Sequence, residues 1–131
     1  MTFLSTTSGA GIINFADSGD NNIGSIEYQH GNNSMKFTTN TAAALTLDSS
    51  QNATFAGNIL PAADNSKNLG SASYRWANIY SADLHLSNEG SGGNDIDGTE
   101  GNWTIQEGED DLYLLNNKNG KKYKFVLQEI K

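Results

Sequence analysis

The residues of this sequence best suited to chemistry are carboxylates. Asn94-Asp95-Ile96-Asp97-Gly98-Thr99-Glu100 gathers three acids and a glycine in one short stretch, as calcium loops do. The register does not fit: an EF-hand with Gly98 at its glycine position needs an acid where Gly93 stands and a Glu where Thr104 stands. A solvated turn is therefore the favoured reading over a cation site. Glu107, Glu109, Asp110 and Asp111 form a second acidic run, read as a polar hairpin tip, with Lys118, Lys121, Lys122 and Lys124 positioned to pair across strands and help set register. His30 and His85 each stand alone on a strand pattern, and there is no cysteine, so neither a thiolate metal site nor a disulfide framework can form. Glycoside hydrolysis needs two carboxylates roughly 5 to 10 Å apart in a cleft, and the sequence selects no such pair. No Gly-x-Ser-x-Gly or phosphate loop is present, so the expectation is a chain that is not an enzyme and takes no cofactor.

The elements that position these residues are short strands. The chain has 131 residues, of which 36% are hydrophobic and only 18% charged, with 14 glycines and one proline. Low charge and a single proline argue against disorder, and the apolar residues alternate in short runs separated by Asn/Gly turns, the pattern of antiparallel β structure. Ile13 and Phe15 share a face. Ile26, Tyr28 and His30 then alternate with polar residues, Gly31-Asn32-Asn33 turns the chain, and Met35, Phe37 and Thr39 alternate again. Leu45 with Leu47, and Ala53 with Phe55, give two further strands. Tyr80, Ala82, Leu84 and Leu86 point one way while Asp83 and His85 point the other. Three last strands run through Trp103 and Ile105, through Leu112 and Leu114, and through Tyr123, Phe125 and Leu127.

Between these two series lies Asn58 to Tyr80, the least generic stretch. Pro61 must stop a strand or keep it at a sheet edge. Asp64, Asn65, Ser66 and Asn68 favour turns, Gly70 offers a positive φ, and Ser71 is placed to cap one helical turn over Ser71 to Ala77. Trp76 is expected to be buried beside Leu69 and Tyr80, with Arg75 anchoring the turn on backbone carbonyls or on Asp64 or Asp83.

The order Pro61, Asp64-Asn65, Leu69-Gly70-Ser71, Arg75-Trp76, Ile79-Tyr80 resembles a segment that recurs near the distal ends of bacteriophage tail fibres and tail spikes. The upstream residues 24–59 resemble the hairpin series that precedes it in such fibres, and residues 94–130 resemble the C-terminal head of fibre proteins from marine phages. The resemblance implies an all-β, intertwined homotrimeric fibre, with a hairpin shaft over 1–57, the turn segment and strand over 58–88, and a three-stranded meander head over 89–131. It marks Pro61, Leu69, Gly70, Arg75, Trp76 and Tyr80 as structural. It also implies a virion protein, assembled in the host cytoplasm, whose partners are its own copies, other tail proteins and a bacterial surface glycan or outer-membrane protein. Many such fibres carry a self-cleaving chaperone domain beyond this region, which this chain is expected either never to have had or to have lost. Phage fibre tips sometimes hold a metal on the threefold axis through His-x-His, and Leu84-His85-Leu86 has only one of the two histidines.

Oligomerisation has a physical basis apart from family, because thin strands with two or three apolar side chains each cannot build a sizeable core alone. The number three comes from the resemblance. At the free end of a fibre, the surfaces expected to touch a receptor are the loop Glu89 to Gly101 and the hairpin tips Glu107 to Asp111 and Asn116 to Gly120. There Asp95, Asp97, Glu100, Asn116, Asn117 and Asn119 suit hydrogen bonding to sugar hydroxyls, and Trp103 and Tyr113 suit stacking on sugar rings. The net charge of −7 disfavours nucleic acid and acidic membranes as partners, since phosphate contacts need clustered Lys and Arg. No apolar run approaches a membrane span, and the first residues lack the basic start and apolar stretch of a signal peptide. The alternatives are a carbohydrate-binding or polysaccharide-degrading spike module, and a purely architectural fibre connector.

Overall fold

A computed structural model describes residues 2–130 and is all-β, with nine antiparallel strands in two sheets and no helix among the described residues. The chain divides into two units, the first running to Pro61 and the second beginning at Ala62. No helix of the described residues is long and apolar enough to cross a membrane.

The first unit holds β1 (Ala10–Phe15), β2 (Gly24–Gln29), β3 (Ser34–Thr39), β4 (Ala42–Leu47) and β5 (Ala53–Phe55), each paired with the next in sequence. Alternation sets the register. Ile26 faces Phe37 and Tyr28 faces Met35, as the hairpin pattern requires, and the pairings Ile13–Ile26, Phe37–Leu45 and Leu45–Phe55 extend one apolar row across all five strands. The opposite face is mostly polar, with Ile12 on it beside Glu27, and Glu27 and Lys36, directly paired there, form an ion pair of 2.8 Å. A sheet with one apolar and one polar face normally packs the apolar face on a second layer. This unit has none.

The second unit holds β6 (Asp83–Ser87), β7 (Asn102–Glu107), β8 (Leu112–Asn116) and β9 (Lys122–Lys124), again paired in chain order. Four strands stand where three were expected, because the run through Leu84 and Leu86 joins this sheet by pairing with Ile105 and Trp103. The strand expected over Tyr80 to Leu86 starts only at Asp83, and the last strand stops at Lys124, although the Phe125 amide still donates to Leu112. Leu84, Leu86, Trp103, Ile105, Leu114 and Tyr123 share one face. Across that face the rings of Trp103 and Tyr123 lie 5.8 Å apart.

Neither sheet buries an apolar side chain. Among the described residues the only buried side chain is that of Thr104. The accessible surface is 11182 Å², whereas even two separate compact bodies of about 7 kDa would together expose only about 8,100 Å².

The stretch between the sheets corrects three expectations. Ser71 to Ala77 is not a helical turn: the backbones of Ser71 and Tyr74 exchange reciprocal hydrogen bonds of 2.9 and 3.2 Å, and the Ser71 hydroxyl accepts from the Tyr74 amide. Such a ring closes a tight reversal rather than opening a helix. Trp76 is not buried within the chain, keeping 63% of its surface exposed, and Leu69 and Tyr80 are also exposed. Its indole does approach Gly70 (φ 84°), where a Cβ would stand 3.5 Å from Trp76 Cδ1. Pro61 follows β5 and lies outside any strand, and among the described residues Arg75 forms no hydrogen bond or ion pair with Asp64, Asp83 or a carbonyl.

The turns are closed by left-handed residues. Asn40 (φ 49°) and Thr41 (φ 61°) form the two-residue loop between paired Thr39 and Ala42, a geometry that suits Asn-Gly and strains a β-branched residue. Thr41→Gly should therefore raise stability by about 1 kcal/mol, read as an upward shift of the unfolding midpoint; a downward shift would mean that the Thr41 side chain contributes more than its backbone strain costs.

Candidate functional site

The side chains most capable of binding gather at one end of the second sheet. The segment Asn88 to Gly101, a loop rich in glycine and acid, is bonded to itself at nearly every polar position. The Asn94 backbone donates to Thr99 and accepts from Gly98, while its side-chain oxygen accepts from the amides of Ile96 and Asp97. Asp97 Oδ1 accepts from the Asn94 side-chain amide at 2.7 Å and from the Thr99 amide and hydroxyl at 3.0 and 2.7 Å. Gly93, at φ 96°, lies against the backbone of Gly98 so closely that a Cβ would collide with it.

A second set of bonds fastens the loop to the sheet. Asn88 accepts from the Gly101 amide at 2.6 Å and donates to Thr99, Glu100 Oε1 accepts from the Gly90 amide, and Glu89 accepts from Asn102. Lys118, from the β8–β9 turn, reaches the Glu100 carbonyl at 3.3 Å and Glu89 at 3.8 Å. The Trp103 indole lies on Gly101, where a Cβ would stand only 2.9 Å from Nε1, so the close approach depends on that glycine.

Together these residues enclose an open groove of about 560 Å³ lined by Leu86, Asn88, Asn94, Asp97, Thr99, Glu100, Gly101, Trp103, Asn116 and Lys118 among others. Of the eight candidate contact residues, the groove brings together Asp97, Glu100, Trp103 and Asn116. The other four lie elsewhere. Asp95 does not line it; Asn119 accepts from the Lys121 amide in the turn; Tyr113 stands on the opposite face of the sheet with its hydroxyl 3.4 Å from Asp111.

Asn117 has a different task. Its side-chain amide donates to Asn102 Oδ1 and to Thr104 Oγ1, both at 2.9 Å, and Thr104 Oγ1 also lies 3.0 Å from His85 Nδ1. His85 is thus a member of a polar network on the face opposite Leu84 and Leu86, as its alternation implies. Sequence reasoning missed this network, since no spacing rule links residues 85, 104 and 117 before register is known. It also missed Asn88 and Lys118 as wall residues of the groove. Asn94 was legible in principle, because the run Asn94-Asp95-Ile96-Asp97-Gly98 is a composition that makes side-chain to backbone turns.

The acidic segment is a closed turn. Among the described residues no group of three or more His, Cys, Asp or Glu side chains is arranged to hold a metal ion. The acidic tip of the β7–β8 hairpin pairs with the lysine-rich strand through Asp111 and Lys124 at 2.7 Å, which raises the Lys124 pKa through that hydrogen bond and charge. Compared with protein-family models, curated proteins and solved structures, the chain matches none.

Asp97 is held below the ordinary aspartate pKa, first by the Thr99 backbone amide, then by the Thr99 hydroxyl and Asn94. A carboxyl with a lowered folded pKa supports the fold fully above its unfolded value, about 3.9, and loses that support as pH falls through the folded value. The Thr99 amide proton should therefore keep its hydrogen-bonded NMR shift down to about pH 4 and move only below it, and Asp97→Ala should abolish the transition. A shift completed above pH 5 would contradict this bonding.

Proposed function

We propose that this chain is a structural virion protein, a distal segment of a bacteriophage tail fibre that acts as a homotrimer and attaches to the bacterial surface through its C-terminal region. The observation that carries the reading is the missing apolar interior. Five strands of the first sheet align Ile13, Ile26, Phe37, Leu45 and Phe55 in one row, yet none of these side chains is buried. Rows this regular favour coverage by a partner of matching pattern, and copies of the same chain supply that pattern at no added cost in specificity. An obligate interface of this kind buries more than about 2,000 Å², within reach of the surface this chain leaves open.

The attachment role draws on the second unit. Its groove combines the Trp103 indole and the Asn116 amide, both on strands, with two carboxylates on a loop fixed by its own hydrogen bonds, which suits a contact made repeatedly at modest affinity. Several copies on one fibre, and several fibres on one particle, would turn weak contacts into stable adhesion through effective concentration. Trp76, exposed on the chain by itself, becomes a contact between copies in this reading.

The test is adsorption. Fluorescently labelled protein should bind intact cells of at least one strain in a panel of marine bacteria, and replacing residues 95–100 with a Gly/Ser loop should lower cell-bound signal at least about fivefold while assembly persists. Unchanged adsorption after that replacement, or binding to no strain, would leave the chain as an architectural connector.

A further inference from the structure

Both edge strands of the second sheet are shorter than their own sequence patterns. Alternation runs through Tyr80, Ala82 and Leu84, and again through Tyr123, Phe125 and Leu127, yet β6 begins at Asp83 and β9 ends at Lys124. Asp83 lies level with Gln106, Tyr113 and Lys124 across the sheet, so the two unpaired stretches, 80–82 and 125–127, flank the same end of it on opposite edges. Among the described residues the backbones of 80–82 and 126–130 form no backbone–backbone hydrogen bond, and Tyr80 and Val126 are 93% and 100% exposed. The Asp83 carbonyl, on the open edge, is met only by the Ser81 hydroxyl of its own chain.

Register fixes which backbone groups these edges leave open. The Phe125 amide donates to Leu112, so along β9 the odd-numbered residues bond toward β8, and the backbones of Lys122, Lys124 and Val126 turn away from the sheet. The Asn88 amide donates to Gly101, so along β6 the even-numbered residues bond toward β7, and those of Ser81, Asp83 and His85 turn away. Four antiparallel strands in chain order also leave β6 and β9 running in opposite directions. Rotating one copy about an axis along the strands therefore sets its β9 antiparallel to the next copy's β6. The five-stranded sheet lacks this property, because β1 and β5 run the same way and the same rotation would set them parallel, the weaker pairing.

We propose that β9, prolonged through Leu127, pairs edge to edge with β6, prolonged back to Tyr80, of a second copy of this chain. Carrying the level of the strands across the join sets Lys124 opposite Asp83, Phe125 opposite Ala82 and Leu127 opposite Tyr80. This register meets three conditions together: open backbone groups face open backbone groups, apolar residues meet on the Trp103 face, and opposite charges meet on the other. Lys124, bonded to Asp111 in its own chain, has two further N–H donors for the incoming carboxylate. Each strand then reaches the length its alternation implies, and neither edge is left as an open template for stray pairing. The interface is heterologous and closes into a ring. It rests on the homotrimer reading for the number of copies and on the sheet edges alone for the pairing.

The chain has no cysteine, so introduced thiols report the pairing without background. Opposite edges of one four-stranded sheet stand about 14 Å apart, too far for a disulfide, whereas directly paired residues lie about 5.5 Å apart. Ser81 and Val126, opposite each other in the proposed register, are exposed and outside the strands of a single chain. After mild oxidation, the full chain carrying both Ser81→Cys and Val126→Cys should run on a non-reducing gel as a covalent species of three chains, and each single variant as one chain. In the unsubstituted protein the Ser81 and Val126 amides should exchange with solvent at least about tenfold more slowly than unpaired amides. A double variant that stays one chain, single variants that cross-link to themselves, or free exchange at both amides would overturn the inference. Light scattering of the same preparations separates it from the homotrimer reading: a three-chain mass without the cross-link removes the edge pairing alone, a one-chain mass removes both, and a closed covalent species of another size supports the pairing and removes the number three.

Discussion

The constraint on which the rest of the structure depends is that neither sheet buries an apolar side chain among the described residues. Hydrophobic burial is the main favourable term in folding, and hairpins that leave one apolar face open are marginal in water. In the first sheet the apolar row crosses every strand, and in the second Leu84, Ile105, Leu114 and Tyr123 form the equivalent row. Both are regular enough to specify register, since a slip of one residue would exchange the apolar face for the Glu27 and Lys36 face. What they lack is cover.

Local order comes instead from turns. Asp17 binds the amides of Gly19 and Asp20, Asp48 binds the amides of Ser50 and Asn52 together with the Asn52 side chain, and Asp97 closes the long loop in the same manner. In each the carboxylate is held below its ordinary pKa, chiefly by backbone amides at Asp17 and Asp97 and chiefly by the Asn52 side chain at Asp48. Left-handed Asn33, Asn40 and Gln51 complete the hairpins. Of the acids that first invite a metal-binding reading, Asp97 and Glu100 therefore serve the backbone and also line a groove beside Trp103.

The strands were legible because period-two alternation survives in short runs. Ile26, Tyr28, Met35 and Phe37 pair as their spacing implies, and His85 faces away from Leu84 and Leu86. The stretch around Trp76 was not legible, since burial of an aromatic was inferred from its size while the chain offers it no layer to pack against. Ser71 was read as a helix cap, but its hydroxyl bonds forward to Tyr74 in a reversal, a use that serine serves equally well. Asp97 and Glu100 fell in the groove because turn composition marks polar loop positions, whereas the role of Asn117 in holding Thr104 depends on register that composition does not carry.

The claim that copies of this chain supply each other's missing interior is tested most directly by mass in solution. Light scattering at micromolar concentration should give about 42 kDa, three times the 14.0 kDa of one chain, with an unfolding midpoint that rises with protein concentration. A folded species of about 14 kDa, melting at a midpoint independent of concentration, would contradict the account.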